Sequence, residues 1–278
     1  MLLPSDKRDG AAGGAELWQA SPVRLSRDAR VVGVVLAWIA LVLLLEKATS
    51  GTGVLRQQVL LGVPTWGLLL ALLRRETPPV RAQVAVVVGF ATTVEYVFSA
   101  WLGTYQYRLG TVPMFVPPGH GLVYLAALSF ARTPSARRHA RTLLGGALVV
   151  GGAWALWGLT LSPQADLLGA FWYACLVLFA WKGRSPLMYV GAFGVVSYLE
   201  ILGTSLGTWR WGAVDPLLGV VPIGNPPSGI AGGYGWFDAA ALWLAPALAA
   251  AWMRRRGPVT GHPAAEEAHT RRPLEEAA

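Results

Sequence analysis

The chain has 278 residues, of which 54% are hydrophobic and 14% charged; a soluble domain of this size carries roughly a quarter charged residues, so lipid is the expected surroundings for most of it. The formal net charge of +8 does not point to nucleic acid, because the basic residues fall in short clusters between apolar runs instead of along one face. A single cysteine, Cys175, excludes disulfides within the chain and thiolate metal cages.

The first thirty residues are polar, with Lys7, Arg8, Arg24, Arg27 and Arg30 ahead of any apolar run. That is not a cleavable signal pattern, so the first hydrophobic segment is expected to stay as an anchor. A bilayer core needs roughly 20 apolar residues per helix, and spans are expected at 31–46, 57–73, 83–102, 119–131, 142–161, 166–181, 187–206 and 234–253. The fourth and sixth are short, which leaves a seven-helix alternative, and charge decides between them. Eight spans put 19 of the 23 Lys and Arg on one side and leave only Lys47, Arg56, Arg108 and Arg210 on the other, the asymmetry of the positive-inside rule. The expectation is therefore an all-α, polytopic cell-membrane protein of about eight transmembrane helices with both ends cytoplasmic. Residues 1–30 form a cytoplasmic N-terminal segment, 31–131 a first four-helix repeat, 142–253 a second, and 254–278 a disordered cytoplasmic tail.

The division into two repeats rests on a duplicated motif. Leu102-Gly103-Thr104-Tyr105-Gln106-Tyr107 is followed by Val112-Pro113 and Pro117-Pro118; Leu206-Gly207-Thr208-Trp209-Arg210-Trp211 is followed by Val221-Pro222 and Pro226-Pro227. Each copy has a glutamate in the helix before it, Glu95 and Glu200, although the two are offset by one position. Four helices per repeat send both halves into the membrane in the same direction, with both motif loops outside. Pro and Gly suit such loops to rigid re-entrant turns capping a cavity between helices. Tyr105, Tyr107, Trp209, Trp211 and Trp236 then lie either at that cavity or in an interfacial aromatic belt.

The residues able to carry chemistry are few. Glu95 and Glu200 lie several residues inside apolar helices, where an ionisable group is kept for a cavity or a partner; burial favours their neutral acid form, the state a proton donor needs. The alternative is a carboxyl that only locks packing. Asp238 is expected at the outer start of the last helix, as a site residue or as a first-turn acid favoured by the helix dipole. His120, within Pro117-Pro118-Gly119-His120-Gly121, is the one histidine outside the cytoplasmic segments in this topology, either a catalyst or a loop hydrogen-bonding residue. Asn225 belongs to the second loop. Arg108 and Arg210 either anchor to headgroups or neutralise a carboxylate, and Glu46 and Lys47 are expected to snorkel to the interface. Gly203-Thr204-Ser205-Leu206-Gly207 matches a nucleophile-elbow pattern only formally; its glycines are expected to let two helices approach. No histidine cluster, Asp-rich diphosphate motif or phosphate-binding glycine loop occurs, so no metal or other cofactor is expected.

The first motif, Gly103-Thr104-Tyr105-Gln106-Tyr107 with Val112-Pro113, Pro117 and the preceding glutamate, resembles the membrane-integral carotenoid hydratases of bacteria and archaea over about residues 90–120, with an echo in 198–230. Pro118-Gly119-His120 and Gly224-Asn225-Pro226-Pro227 depart from that pattern. Small membrane lycopene cyclases and fungal-type terpene cyclases look alike in scale and in drawing acids from several helices. The resemblance implies acid-initiated hydration or cyclisation of a polyene or terpenoid, with Glu95 or Glu200 giving the proton. Tyr105, Tyr107, Trp209 or Trp211 would face the cation, Asp238 or His120 would orient water, and Asn225 would contact substrate. Competing readings are a membrane carrier or lipid-binding protein whose intramembrane acids couple to protons, and a structural subunit. Membrane lipid and an apolar small molecule are the expected partners, and nothing in the sequence sets the oligomeric state.

Overall fold

The computed structural model describes residues 26–255; the expectations for the N-terminal segment up to residue 25 and for the tail beyond 255 lie outside the described residues. Nine α-helices are present among them: α1 (Arg27–Ala48), α2 (Val54–Leu73), α3 (Pro78–Glu95), α4 (Val116–Arg132), the short α5 (Pro134–Arg138), α6 (Ala140–Thr160), α7 (Leu167–Lys182), α8 (Pro186–Leu206) and α9 (Gly233–Arg255). Five helical segments are long and apolar enough to cross a membrane: Arg27–Ala48, Val54–Leu73, Pro78–Trp101, Ala140–Thr160 and Pro186–Leu206. With so many, the chain is a multi-pass membrane protein. Apart from the five-residue α5, the shortest helices are α4 and α7, with 17 and 16 residues.

Local chemistry sets the helix ends. Ser26 caps α1 by accepting from the Ala29 N–H, and Asp166 caps α7 by accepting from Gly169. Proline opens α3, α4, α5 and α8, where its missing N–H costs nothing. Gly207 closes α8 in the left-handed conformation at φ 70°. α4 is the central helix, packed on α1, α2, α3 and α8. Its sequence buries small and large residues on nearly every side, including Leu122, Tyr124, Ala126 and Ala127.

Two three-residue strands, β1 (Tyr105–Tyr107) and β2 (Trp209–Trp211), pair antiparallel with Tyr105 opposite Trp211, Gln106 opposite Arg210 and Tyr107 opposite Trp209. The two copies of the sequence motif thus meet each other across the fold. Because strand side chains alternate faces, all four aromatics turn inward and are buried, while Gln106 and Arg210 face out. The ribbon is lengthened by Arg108 N–H on the Thr208 carbonyl and Gly212 N–H on the Thr104 carbonyl.

The one-residue offset between the glutamates has a structural cause. Glu95 precedes Leu102 by seven residues and Glu200 precedes Leu206 by six. After Glu95 the helix continues as a π-helical turn, Tyr96–Trp101, in which Leu102 N–H reaches the Val97 carbonyl. A π turn takes up one more residue than an α turn. The extra residue is absorbed there, and both glutamates arrive at the inward face of the ribbon.

Candidate functional site

Each glutamate is held by the two aromatics of its own motif. Tyr105 and Tyr107 both donate through their hydroxyls to Glu95 Oε2, at 2.7 and 2.8 Å. Trp209 and Trp211 both donate through their indole N–H to Glu200 Oε2, at 2.9 and 3.1 Å. The four rings form one cluster, with Tyr105 and Trp211 centroids 4.5 Å apart and Tyr107 and Trp209 6.1 Å apart. They are 6 to 9% exposed, so they are a buried site and not an interfacial belt. Trp236, at 48%, does face outward. Burial first, and then the Glu95 carboxylate, pushes the Tyr105 and Tyr107 phenols well above their ordinary range. Both are therefore fixed as donors.

The two carboxyls differ in their remaining oxygen. Glu95 Oε1 is 2.8 Å from His120 Nε2, and His120 Nδ1 is 2.8 Å from the Tyr234 hydroxyl. With Glu95 as a carboxylate, which only accepts, the His120 proton sits on Nε2 and Tyr234 donates to Nδ1 of the neutral ring. Glu95, His120 and Tyr234 form a chain from α3 through α4 to α9. Glu200 Oε1 has no protein partner among the described residues, and an indole N–H cannot accept a proton in exchange.

Both carboxyls line one cavity of about 510 Å³, together with His120, Tyr234 and all four ribbon aromatics. Its other walls are nearly all apolar, from α1, α3, α4, α7, α8 and α9. Among the described residues no group of three His, Cys, Asp or Glu side chains could hold a metal ion.

Several expectations need correction. Asp238 does not join this site. It is the sixth residue of α9, not a first-turn acid, and its oxygens accept from Tyr124 and Tyr189, each at 2.9 Å, in a separate polar cluster between α4, α8 and α9. Asn225 is exposed and accepts from the Trp211 backbone N–H at 3.1 Å; it braces β2 from outside the cavity lining. Glu46 does not snorkel. It is 1% exposed, pairs with Arg108 at 3.2 Å and accepts from the Thr208 hydroxyl at 2.9 Å. Arg108 also donates to the Leu206 and Gly207 carbonyls, binding β1 to the end of α8. Gly203 is not a helix–helix contact: the Trp209 indole occupies the space where a side chain would be. Ser205 donates to its own helix, to Ile201.

Sequence reasoning did not single out three residues that build the site. Tyr234 was legible only as one aromatic in a glycine-rich run. Asp166 holds the second loop by accepting from Gly224 and Ser228 N–H at 2.8 and 2.7 Å, and Gln58 holds the first through Val112 and Met114. The signal available for both was a polar residue next to an apolar helix start, which is common.

No protein-family model matches the chain, and comparison with curated proteins and with solved structures yields no match.

Proposed function

We propose that the protein is a membrane enzyme that adds water to, or closes a ring at, an end group of a long apolar polyene or terpenoid by acid catalysis. The observation that carries this reading is the unequal pair of carboxyls in one apolar cavity. Glu200, with one oxygen free, is the proton donor. Protonation of a carbon–carbon double bond transfers the Glu200 proton to one carbon and leaves a cation on the other, facing the electron-rich rings of Trp209, Trp211 and Tyr105. Water then adds to the cation. Its proton passes to the Tyr234 oxygen as the Tyr234 proton moves to His120 Nδ1, and Glu95 stabilises the resulting imidazolium, as the acid of a catalytic triad does for its histidine. For ring closure, a neighbouring double bond attacks instead and the same base removes a carbon-bound proton. Return of that proton to Glu200 restores the site, and the balance is alkene plus water to alcohol, or an isomerisation.

The same proposal includes the membrane arrangement: eight spans in two four-helix repeats, with both ends in the cytoplasm and the ribbon on the opposite side. The meeting of the two motif copies in one ribbon and the 19-to-4 partition of basic residues support it. The likeness of the first motif to carotenoid hydratases points to the same substrate class. Co-expression with pathways for acyclic carotenoids and other isoprenoids is the test. A product one water heavier, or an isomeric ring, is expected; no new species from any of them, with the protein present in the membrane, would assign the site to a carrier.

A further inference from the structure

The cavity does not end at the glutamates. Its lining continues outward to Phe90 on α3, Phe171 on α7 and Trp236 on α9, which are 38, 54 and 48% exposed. On the opposite flank α1 packs along α8, and of the lining residues it contributes Ile39, Val42 and Leu43 are buried and Trp38 is half-buried. α3 packs on α4 and α9, and no comparable packing joins it to α6 or α7 among the described residues. The cavity is therefore walled on one side and bounded by exposed aromatics on the other.

We propose that this gap between α3 and α7, floored by the start of α9, is a lateral portal, and that the ligand is a linear apolar chain longer than the cavity. Its end group lies at the glutamates and the remainder passes between Phe98 and Phe171 into the bilayer. A chain leaving there moves from apolar side chains to lipid tails without crossing water, so no desolvation step opposes entry or residence. A charged or short water-soluble ligand gains nothing from such a route. The inference rests on the reading of the cavity as a site for an apolar chain, but not on the chemistry assigned to Glu200.

The sole native cysteine, Cys175, is buried one helical turn beyond Phe171, so a Cys175→Ser background frees thiol chemistry for the portal. In it, Phe98→Cys with Phe171→Cys can be bridged by a reductively cleavable bis-maleimide, with the protein in lipid nanodiscs. Lycopene, achiral and silent in circular dichroism when dissolved in lipid, serves as the probe; a protein-bound fraction acquires an induced signal in its visible band. The expected result is a signal in the unbridged protein and in Glu200→Gln. Bridging before lycopene is added should reduce it to that of protein-free nanodiscs, and reduction should restore it. A signal that forms equally well in the bridged protein would overturn the portal and leave the proposed function standing. No induced signal in any of the proteins, Glu200→Gln included, would overturn the apolar-chain ligand and the proposed function with it.

Discussion

The two glutamates beside the ribbon, Glu95 on α3 and Glu200 on α8, occupy matching places and differ in what reaches their second oxygen. Glu95 is reached by two phenols on one oxygen and an imidazole on the other. Glu200 receives two indoles on one oxygen and presents the other to the cavity. Tyr-x-Tyr in the first copy and Trp-x-Trp in the second each donate two hydrogen bonds to one oxygen of their glutamate, and only Glu95 is also reached at its second oxygen, by His120. Two carboxyls with like donors from neighbouring strands are thus distinguished by one side chain from another helix, His120 on α4.

The harshest way to break the comparison is to change spacing. Deleting Ser99 from the π turn gives the first half the six-residue spacing of the second, and the turn can revert to α-helix. Deleting Ile201 from α8 has no such reserve. Membrane yield and monodispersity in detergent should persist in the first deletion and collapse in the second; equal loss in both would refute the π turn's compensating role. Next in size, Glu200→Gln should keep the fold and reduce turnover by about 10²- to 10⁴-fold, the usual contribution of a positioned proton donor. Tyr234→Phe removes the relay hydroxyl but leaves His120 paired with Glu95, so product formation should fall by about 10²-fold, the lower end of that range. Turnover as fast as wild type would exclude the relay.

How far all this could be read from the sequence depends on which property each residue used. The eight main helices appear where apolar runs place them, and Glu95, Glu200 and the four aromatics, singled out by the recurring motif, line one cavity. His120 was readable as a candidate since no other histidine falls outside the expected cytoplasmic segments. Pairing between the two motifs, and the role of Tyr234, were not readable, because contacts about a hundred residues apart leave no periodic trace in one chain. Asp238 misled for a definable reason. The helix start was legible to within a residue of Gly233, but nothing in the sequence marks Tyr124 and Tyr189, distant in the chain, as the partners to which α9 carries Asp238.

Smaller effects sharpen the contrast. Tyr105→Phe deprives the Glu95 carboxylate of one of three donors and should lower stability by about 1–3 kcal/mol, as for hydrogen bonds to charged groups, read as a drop in thermal aggregation temperature. Trp209→Phe should cost at least as much, because it also leaves space against Gly203. Asp238→Asn lies outside the cavity lining, and should leave turnover within a few-fold of wild type while weakening the α4–α8–α9 junction; loss of turnover on the scale of Glu200→Gln would place Asp238 back in the chemistry.

The account's central claim, that Glu200 delivers a solvent-derived proton to carbon, is tested most directly by turnover in membranes equilibrated with deuterium oxide. The product should carry one non-exchangeable deuterium on the carbon next to the newly formed carbon–oxygen or ring bond, and Glu200→Gln should lower its yield by about 10²-fold or more. A product lacking carbon-bound deuterium, or one formed undiminished by Glu200→Gln, would contradict the assignment of the two glutamates.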